Sequence, residues 1–411
     1  MADQALAGIR IVEFTDEIAS YCGRLLADLG AEVIKVEPPG GGAQRHTPPF
    51  LQGVEPGPDA SIAFSVHNMS KKSVVLDLET DHGRDTAKRL ALTADVLIED
   101  YPPGYLAARG LGYEALAGEK PSLVYTSVTG FGQTGPHANY AYTDIVGQAM
   151  GGVMTLAGEP EDPPNLIYGN QANVSASIQA AQGTLLALLH AEATGEGQQV
   201  DVSAQEALSM AQETAMQTWD LQKTNRRRTG ERGMMPVSLP GMGVYQCRGG
   251  HVIAYVMAPG GADFPDLVAW MRDEGMAGDL DDPAYKDLIG NLNMATLTQY
   301  MINPDLAKDV IPKLMHINEL VKAFFATKDA TEAYEQGQGR RLLIGLVSTP
   351  KDLAENRQLR ARDWYRTVDL GPLGRSVEFP GPPYRLSETP AVVGRPPMLG
   401  EHTDAVLAAL A

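Results

Sequence analysis

Cysteine is scarce in this 411-residue sequence: only Cys22 and Cys247 occur, far apart and without C-x-x-C spacing. That excludes a disulfide framework and a paired-cysteine metal site, and implies free thiols in a reducing compartment. Long apolar runs are lacking as well, since no window reaches the roughly 18 uninterrupted apolar residues that a membrane helix needs. The start, "MADQALAGIRIVEF", has no charged segment followed by an apolar one, so a cytoplasmic protein is expected. Positive charge is outnumbered, 33 Lys and Arg against 51 Asp and Glu, a formal net charge of −18. Such a chain repels polyphosphate backbones and anionic membranes, so neither nucleic acid nor membrane is an expected partner. An anionic ligand must meet locally placed cations. The eight histidines form no HxxxH or HxH pair, and no metal is assigned. No G-x-S-x-G elbow or Walker loop occurs, and the turn after the first strand reads "TDEIAS" in place of G-x-G-x-x-G. Serine hydrolase, NTPase and NAD readings all lose support.

What is present is a hydrophobic content of 44%, enough for the cores of two or three domains. From Ile9 the sequence reads strand "IRIVEF", helix "EIASYCGRLLADLG" closed by Gly30, then strand "AEVIKVE", a βαβ unit that calls for a parallel sheet. "SVVLDL", "GRDTAKRLALTA", "DVLIED" and "SLVYTSVTGFG" continue the alternation, so the fold class is α/β with an open, Rossmann-like parallel sheet. Further on, "GEGQQVDVS" reads as turn and strand. "AQEALSMAQETAMQTWDLQK" reads as one long helix whose methionines pack. The unpatterned "TNRRRTGERGMMPVSLPGMG" marks a linker or long functional loop. "GVYQC" and "HVIAYV" form a hairpin, short amphipathic helices run to about residue 330, and β-rich segments such as "SVEFP" return after "RLLIGLVST". The expected division is therefore 1–224 for the first part of a large α/β domain, 225–330 for a small α+β domain, and 331–411 for a return to the large one.

Gly and Pro punctuate three strand ends: "EPPGGG", "YPPGY" and "TGFGQTG". Ligand crevices of open parallel sheets lie at the carboxyl ends of strands, so these loops are expected to converge, although each alone also reads as a plain βα turn. Lys71, Lys72 and the cluster Arg226, Arg227, Arg228 and Arg232 are the strongest basic runs. They fit either a phosphate-bearing ligand or, for the arginines, a solvated loop or partner interface. In "NLIYGNQANVSASIQAAQGTLLALL" three amides and no carboxylate precede an Ala-rich helix, and Asn173 reads locally as its N-cap.

Taken in order, "LAGIRIVEFT", "CGRLLADLGAEVIKVEPPGG", "NMSKKSVVLDL", "DVLIEDYPPGYL", "TSVTGFGQTGP", "YTDIVGQAMGG", "TGEGQQVDVSAQEAL" and "MLGEHTDAVL" form a specific series. On these motifs the chain, over essentially its whole length, resembles the class III CoA-transferases of the formyl-CoA transferase and carnitine dehydratase type, a family that also includes α-methylacyl-CoA racemase. The resemblance implies a large α/β domain built from both chain ends, a small domain between them, and two chains threaded as interlocked rings. It implies coenzyme A thioesters as ligands, with the CoA groove on Leu76, Asp100, Tyr101, Gly130 and Phe131 and with Lys72 and Arg109 facing phosphate. Two positions depart from the pattern: Pro38 stands where some members have arginine, and Ala108 precedes Arg109 where the family usually has Arg followed by an apolar residue.

The resemblance also gives Asn173 a second meaning. The family carries an aspartate ten residues before the Gly of the following helix, and counting back from Gly183 lands on Asn173. In the transferases that aspartate attacks the acyl thioester, forming a mixed anhydride and then an aspartyl-CoA thioester. An amide can do neither. Asp144 reads as structural, Asp16 and Glu17 lie near the expected acyl site, and Thr143 stands where the racemase mechanism needs a histidine. Two readings stay open: the silent subunit of a heteromeric transferase of the succinyl-CoA:benzylsuccinate type, partnered by an Asp-bearing paralogue, or a homodimeric enzyme or CoA-ester-binding protein with altered chemistry.

Overall fold

The computed structural model describes residues 4–232, 237–257 and 261–410; residues 233–236, part of the expected linker, lie outside the described residues. The chain forms two compact units, one of Met1–Met154, Leu166–Thr224 and Arg357–Ala411, the other of Thr155–Asn165 and Asn225–Asn356.

In the first unit the alternating apolar strands become β1 (Arg10–Phe14), β2 (Glu32–Glu37), β3 (Lys72–Val75), β4 (Val96–Glu99), β5 (Val124–Thr129) and β6 (Gln199–Ser203). All pair in parallel, in the spatial order β3-β2-β1-β4-β5-β6. Side chains alternate between two cores because successive strand residues point to opposite faces. Ile11, Val96 and Ile98 pack with α1 (Ser20–Ala27) and α4 (Gln171–Thr194), while Val12, Ile34 and Leu97 pack with α2 (Asp81–Thr93). The strand order reverses between β1 and β4, so the loops leaving those two strands diverge and open a crevice at their carboxyl ends.

A buried ionic cluster sits under that crevice. Glu13 on β1 is fully buried, and its Oε1 accepts from Lys71 Nζ at 2.7 Å and Lys35 Nζ at 3.4 Å. Lys35 also donates to Thr15 O at 2.6 Å and Ser20 Oγ at 3.1 Å, and Lys71 to Ser20 O at 2.7 Å and Asn68 Oδ1 at 2.9 Å. Both lysines therefore staple the β1–α1 loop to the sheet. Burial pushes the Lys71 ammonium down to about 8 against the pull of Glu13.

The chain returns over the edge of β3. His402 N donates to Ser73 O at 3.0 Å, Gly400 N to Ser73 Oγ at 2.9 Å and Val75 N to Thr403 Oγ1 at 3.0 Å. The returning segment also forms a separate antiparallel pair, Tyr365–Asp369 with Ser376–Pro380.

The second unit carries the expected hairpin, β7 (Met242–Cys247) and β8 (Gly250–Tyr255), antiparallel, with its own core around Trp270, Phe324 and Phe325. Three sequence expectations need correction. The stretch 331–356 was expected to return to the large domain but belongs to the second unit, because Ile344–Leu346 adds to β8 as a third antiparallel strand. The helices there are not all short, since Pro304–Ala326 runs for 23 residues. The Met-rich helix is broken: α5 (Ala204–Ser209) gives way to a turn, Glu213 takes φ +47°, and α6 (Ala215–Gln222) starts afresh. A side chain in that left-handed region cannot continue a helix. Cys22 and Cys247 are buried and free, and no helix of the described residues is long and apolar enough to cross a membrane.

Gly23 lies against the ionic cluster, where an added Cβ would fall 1.8 Å from Glu13 Oε2 and 3.0 Å from Lys71 Nζ. Gly23→Ala is expected to lower stability by roughly 2–4 kcal/mol through overpacking and a displaced buried charge. Gly118→Ala, which meets open space in a helix, should be neutral or gain about 0.5–1 kcal/mol. Urea unfolding midpoints check both.

His67 supplies a pH test. Its Nδ1 pairs with Gln44 Nε2 at 2.8 Å, and burial, reinforced by Lys71, Arg24 and Lys35, pushes the imidazole down to about 4 from an ordinary 6.5. A depressed folded value means that stability is fully present above pH 6.5 and is lost as pH falls through about 4, because the unfolded chain binds the proton more readily. Between pH 7 and pH 5 the wild type should lose about 1–2 kcal/mol more than His67→Gln, and an equal loss in both would contradict this.

Candidate active site

Asp100 follows β4, and its carboxylate accepts three backbone N–H groups from the loop after β1: Asp16 N at 2.8 Å, Ile18 N at 2.9 Å and Ala19 N at 3.0 Å. Burial pushes its carboxyl up to about 6, with those N–H groups pulling the other way. Asp16 in turn accepts from Ala43 N at 2.7 Å and Gln44 N at 2.9 Å, which draws in the loop after β2. The loop after β5 arrives through Tyr142. A Cβ on Gly130 would lie 2.2 Å from the Tyr142 ring, so only glycine allows that approach, and Phe131 meets the same ring edge-on at 5.8 Å. The three strand-end loops converge.

Between them lies a cavity of about 250 Å³. Asp16, Glu17 and Ile18 line it from β1, Asp100 and Tyr101 from β4, Tyr142 and Thr143 from the segment before α3 (Asp144–Met150), and Asn173 from α4. Tyr142 was not singled out from sequence; it donates its hydroxyl to Asn173 Oδ1 at 3.0 Å. The available signal was the aromatic run "NYAYTD", in which Tyr142 opens the motif "YTDIVGQAMGG".

Asn173 is not the N-cap expected of it. The helix begins at Gln171, two residues earlier, so Asn173 lies within the first turn, 3% exposed. Asp144 provides the cap from another element, its Oδ1 accepting Ala172 N at 2.9 Å and Asn173 N at 3.0 Å. A carboxylate there satisfies two orphan donors and complements the helix dipole better than a neutral amide does. Gln148, fully buried, holds the arrangement together. Its Nε2 donates to Asp144 Oδ2 at 2.7 Å and its Oε1 accepts Ile167 N at 3.0 Å, fixing the loop that leads into α4.

The remaining sequence candidates divide. Leu76 and Tyr101 share a small cavity of about 60 Å³ with Pro38, Glu79 and Tyr105. Tyr101 stacks on Tyr105 at 4.4 Å, and Arg109 covers Tyr105 with Cζ 3.7 Å from the ring centre while pairing with Glu79 at 2.6 Å. Tyr101 lines both cavities, which makes them neighbours. Lys72 is not brought there; it pairs with Glu32 at 2.5 Å and lines a different cavity with Arg10 and His402. Lys71, read as a possible phosphate partner, is committed to Glu13 in the interior. Arg226 and Arg227 are exposed, and Arg228 donates to Glu159 O at 2.7 Å. A larger cavity of about 600 Å³, lined by residues between Leu359 and Ala391, contains none of the expected site residues.

The model of CoA-transferase family III matches residues 6–403. The chain belongs to CoA-transferase family III. Among curated relatives, succinyl-CoA:(R)-benzylsuccinate CoA-transferase subunit BbsE of Thauera aromatica is 33% identical over 408 residues, covering 98% of this chain and 94% of that protein. Formyl-CoA:oxalate CoA-transferase of Streptomyces avermitilis is 28% identical, covering 98% and 94%. Among solved structures, a CAIB/BAIF family protein from Brucella suis superposes with a TM-score of 0.83 at 27% identity over 100% of both chains. As a family III member the chain is a CoA-transferase-type enzyme of α/β architecture with succinyl-CoA-type transferases among its relatives, and CoA thioesters are the family's substrates.

Removing the cap from α4 tests the architecture of this family III site. Asp144→Ala leaves Ala172 N and Asn173 N without acceptors and removes one of the bonds of Gln148, and is expected to cost about 1–2 kcal/mol in unfolding free energy. Hydrogen exchange at the first turn of α4 should accelerate selectively, while exchange in β1 stays as in the wild type.

Proposed function

We propose that this chain is the subunit of a class III CoA-transferase that does not supply the nucleophile. The complex moves CoA between a succinyl-CoA-like thioester and a carboxylic acid, and an Asp-bearing paralogue carries the covalent intermediates. The observation that carries this reading is the amide of Asn173, held by Tyr142 at the edge of the cavity, at the place where the sequence resemblance puts the family's aspartate. An amide nitrogen has no lone pair free for attack and forms neither anhydride nor thioester. Support for a heteromer comes from the relative whose name describes a subunit.

In this reading Leu76, Tyr101, Gly130 and Phe131 shape the CoA groove, Arg109 meets a phosphate once Glu79 yields it, and Lys72, at the amino end of β3, takes no part. Asp100 acts by holding the β1–α1 loop. The chain works in an interlocked dimer with its paralogue, in the cytoplasm and without a metal or NAD.

Thioester exchange assayed on each subunit alone and on the mixture tests the assignment. The isolated chain should turn over at least about 10³-fold more slowly than the complex, as expected when a nucleophile is missing. A hydroxylamine-sensitive adduct should appear only on the paralogue. Robust turnover by this chain alone, with an adduct on Asp16, Glu17 or Asp144, would sink the proposal and identify the replacement.

A further inference from the structure

The carboxylates in the cavity lining and Asp144 beside it differ in how their oxygens are used. Asp16, Asp100 and Asp144 each hold backbone N–H groups of neighbouring loops. Glu17 holds nothing: among the described residues no donor reaches its carboxyl, which is exposed at the cavity wall. Asn173 is the second unpartnered group. Its Oδ1 is taken by Tyr142, but its Nδ2 has no acceptor among the described residues, although the residue is 97% buried and lines the same cavity. Beside the Tyr101 and Thr143 hydroxyls, the cavity therefore offers a ligand the Asn173 amide as a donor and one free acid, Glu17.

No Lys, Arg or His is among the described residues lining this cavity; the groups facing Glu17 are Asp16, Asp100, Asp144 through α3, Tyr101 and Tyr142. An acyl group with its own carboxylate would enter a space lined by like charge, without a Lys, Arg or His in the lining to pair with it. An uncharged acyl group meets no such barrier, and its thioester carbonyl can accept from Asn173 Nδ2.

We propose that Glu17 is a specificity residue that closes this chain's cavity to acyl-CoA thioesters bearing a second carboxylate, while Asn173 Nδ2 holds the carbonyl of an uncharged acyl-CoA. The inference rests on the CoA-ester reading above and adds a direction to it. A succinyl-type donor is kept out of the silent cavity, so the dicarboxylic thioester is left to the Asp-bearing subunit. Burial and the neighbouring Asp16 and Asp144 push the Glu17 carboxyl above its ordinary range.

The test is calorimetric titration of the full-length chain with CoA, butyryl-CoA and succinyl-CoA near pH 8. The wild type should bind butyryl-CoA at least about tenfold more tightly than succinyl-CoA. Glu17→Gln removes the charge at constant shape and should bring the two within about threefold, with free CoA bound as in the wild type. Glu17→Asp should keep the discrimination. A wild type that binds succinyl-CoA as tightly as butyryl-CoA, or a Glu17→Gln variant whose ratio does not move, overturns the inference and leaves CoA binding intact. Failure of all three ligands to bind the wild type overturns the CoA-ester reading itself, and this inference with it.

Discussion

The candidate site depends for its shape on one carboxylate. Asp100, at the end of β4, takes three consecutive-loop N–H groups from the far side of the point where the strand order reverses. Loops leaving β1 and β4 diverge at a switch point by topology alone, and the crevice between them stays an open cleft unless something bridges it. Asp100 bridges it in the way an N-cap residue does, satisfying the donors ahead of α1 from another strand. Glu17 and Ile18 are held in the cavity wall as a result, and the ionic cluster of Glu13, Lys35 and Lys71 fixes the floor beneath them. Replacing Glu13 with an apolar residue would strand two buried ammonium groups, a loss of about 3–5 kcal/mol by the usual cost of breaking a buried pair.

Asp144 repeats the device on the opposite wall. It caps α4 from outside the helix and is itself held by Gln148, so the side chain of Asn173 is free of any duty to its own helix. Holding the helix and lining the cavity are thus assigned to different residues. An exchange of carboxylate for amide at Asn173 therefore alters reactivity and local charge while the cap stays in place.

Much of the fold was legible in the sequence because its signals are local. The alternation in "IRIVEF", the helix closed by Gly30 and the repeat of strand and helix give a parallel sheet directly, and the Gly- and Pro-marked strand ends point to the converging loops. The site was legible in position more than in role. Asp100 and Tyr101 do line the cavity, but the grip of Asp100 on the β1–α1 loop spans 81 to 84 residues of sequence, which no local pattern encodes. The N-cap assignment of Asn173 failed for the same reason, since the true cap comes from a residue 29 positions away. The Met-rich helix failed because its periodicity continues through a turn that Glu213 breaks by backbone geometry alone. Lys72 sits beside Lys71 in sequence, yet strand alternation sends one to the interior and the other to a surface pair with Glu32.

The closing of the β3 edge by the returning chain has a consequence for how the protein is made. β3 ends the six-stranded sheet, and its outer face pairs with residues that include His402, 329 positions after Ser73. At the usual elongation rate of about 5–20 residues per second, a nascent chain carries this uncovered strand edge for roughly 15–65 seconds. An open edge is a template for pairing with other chains. On the ribosome, then, the interval of greatest exposure to misassembly is set by the distance in sequence between a strand and its cover, while the cavity-lining residues have all been synthesised by residue 173.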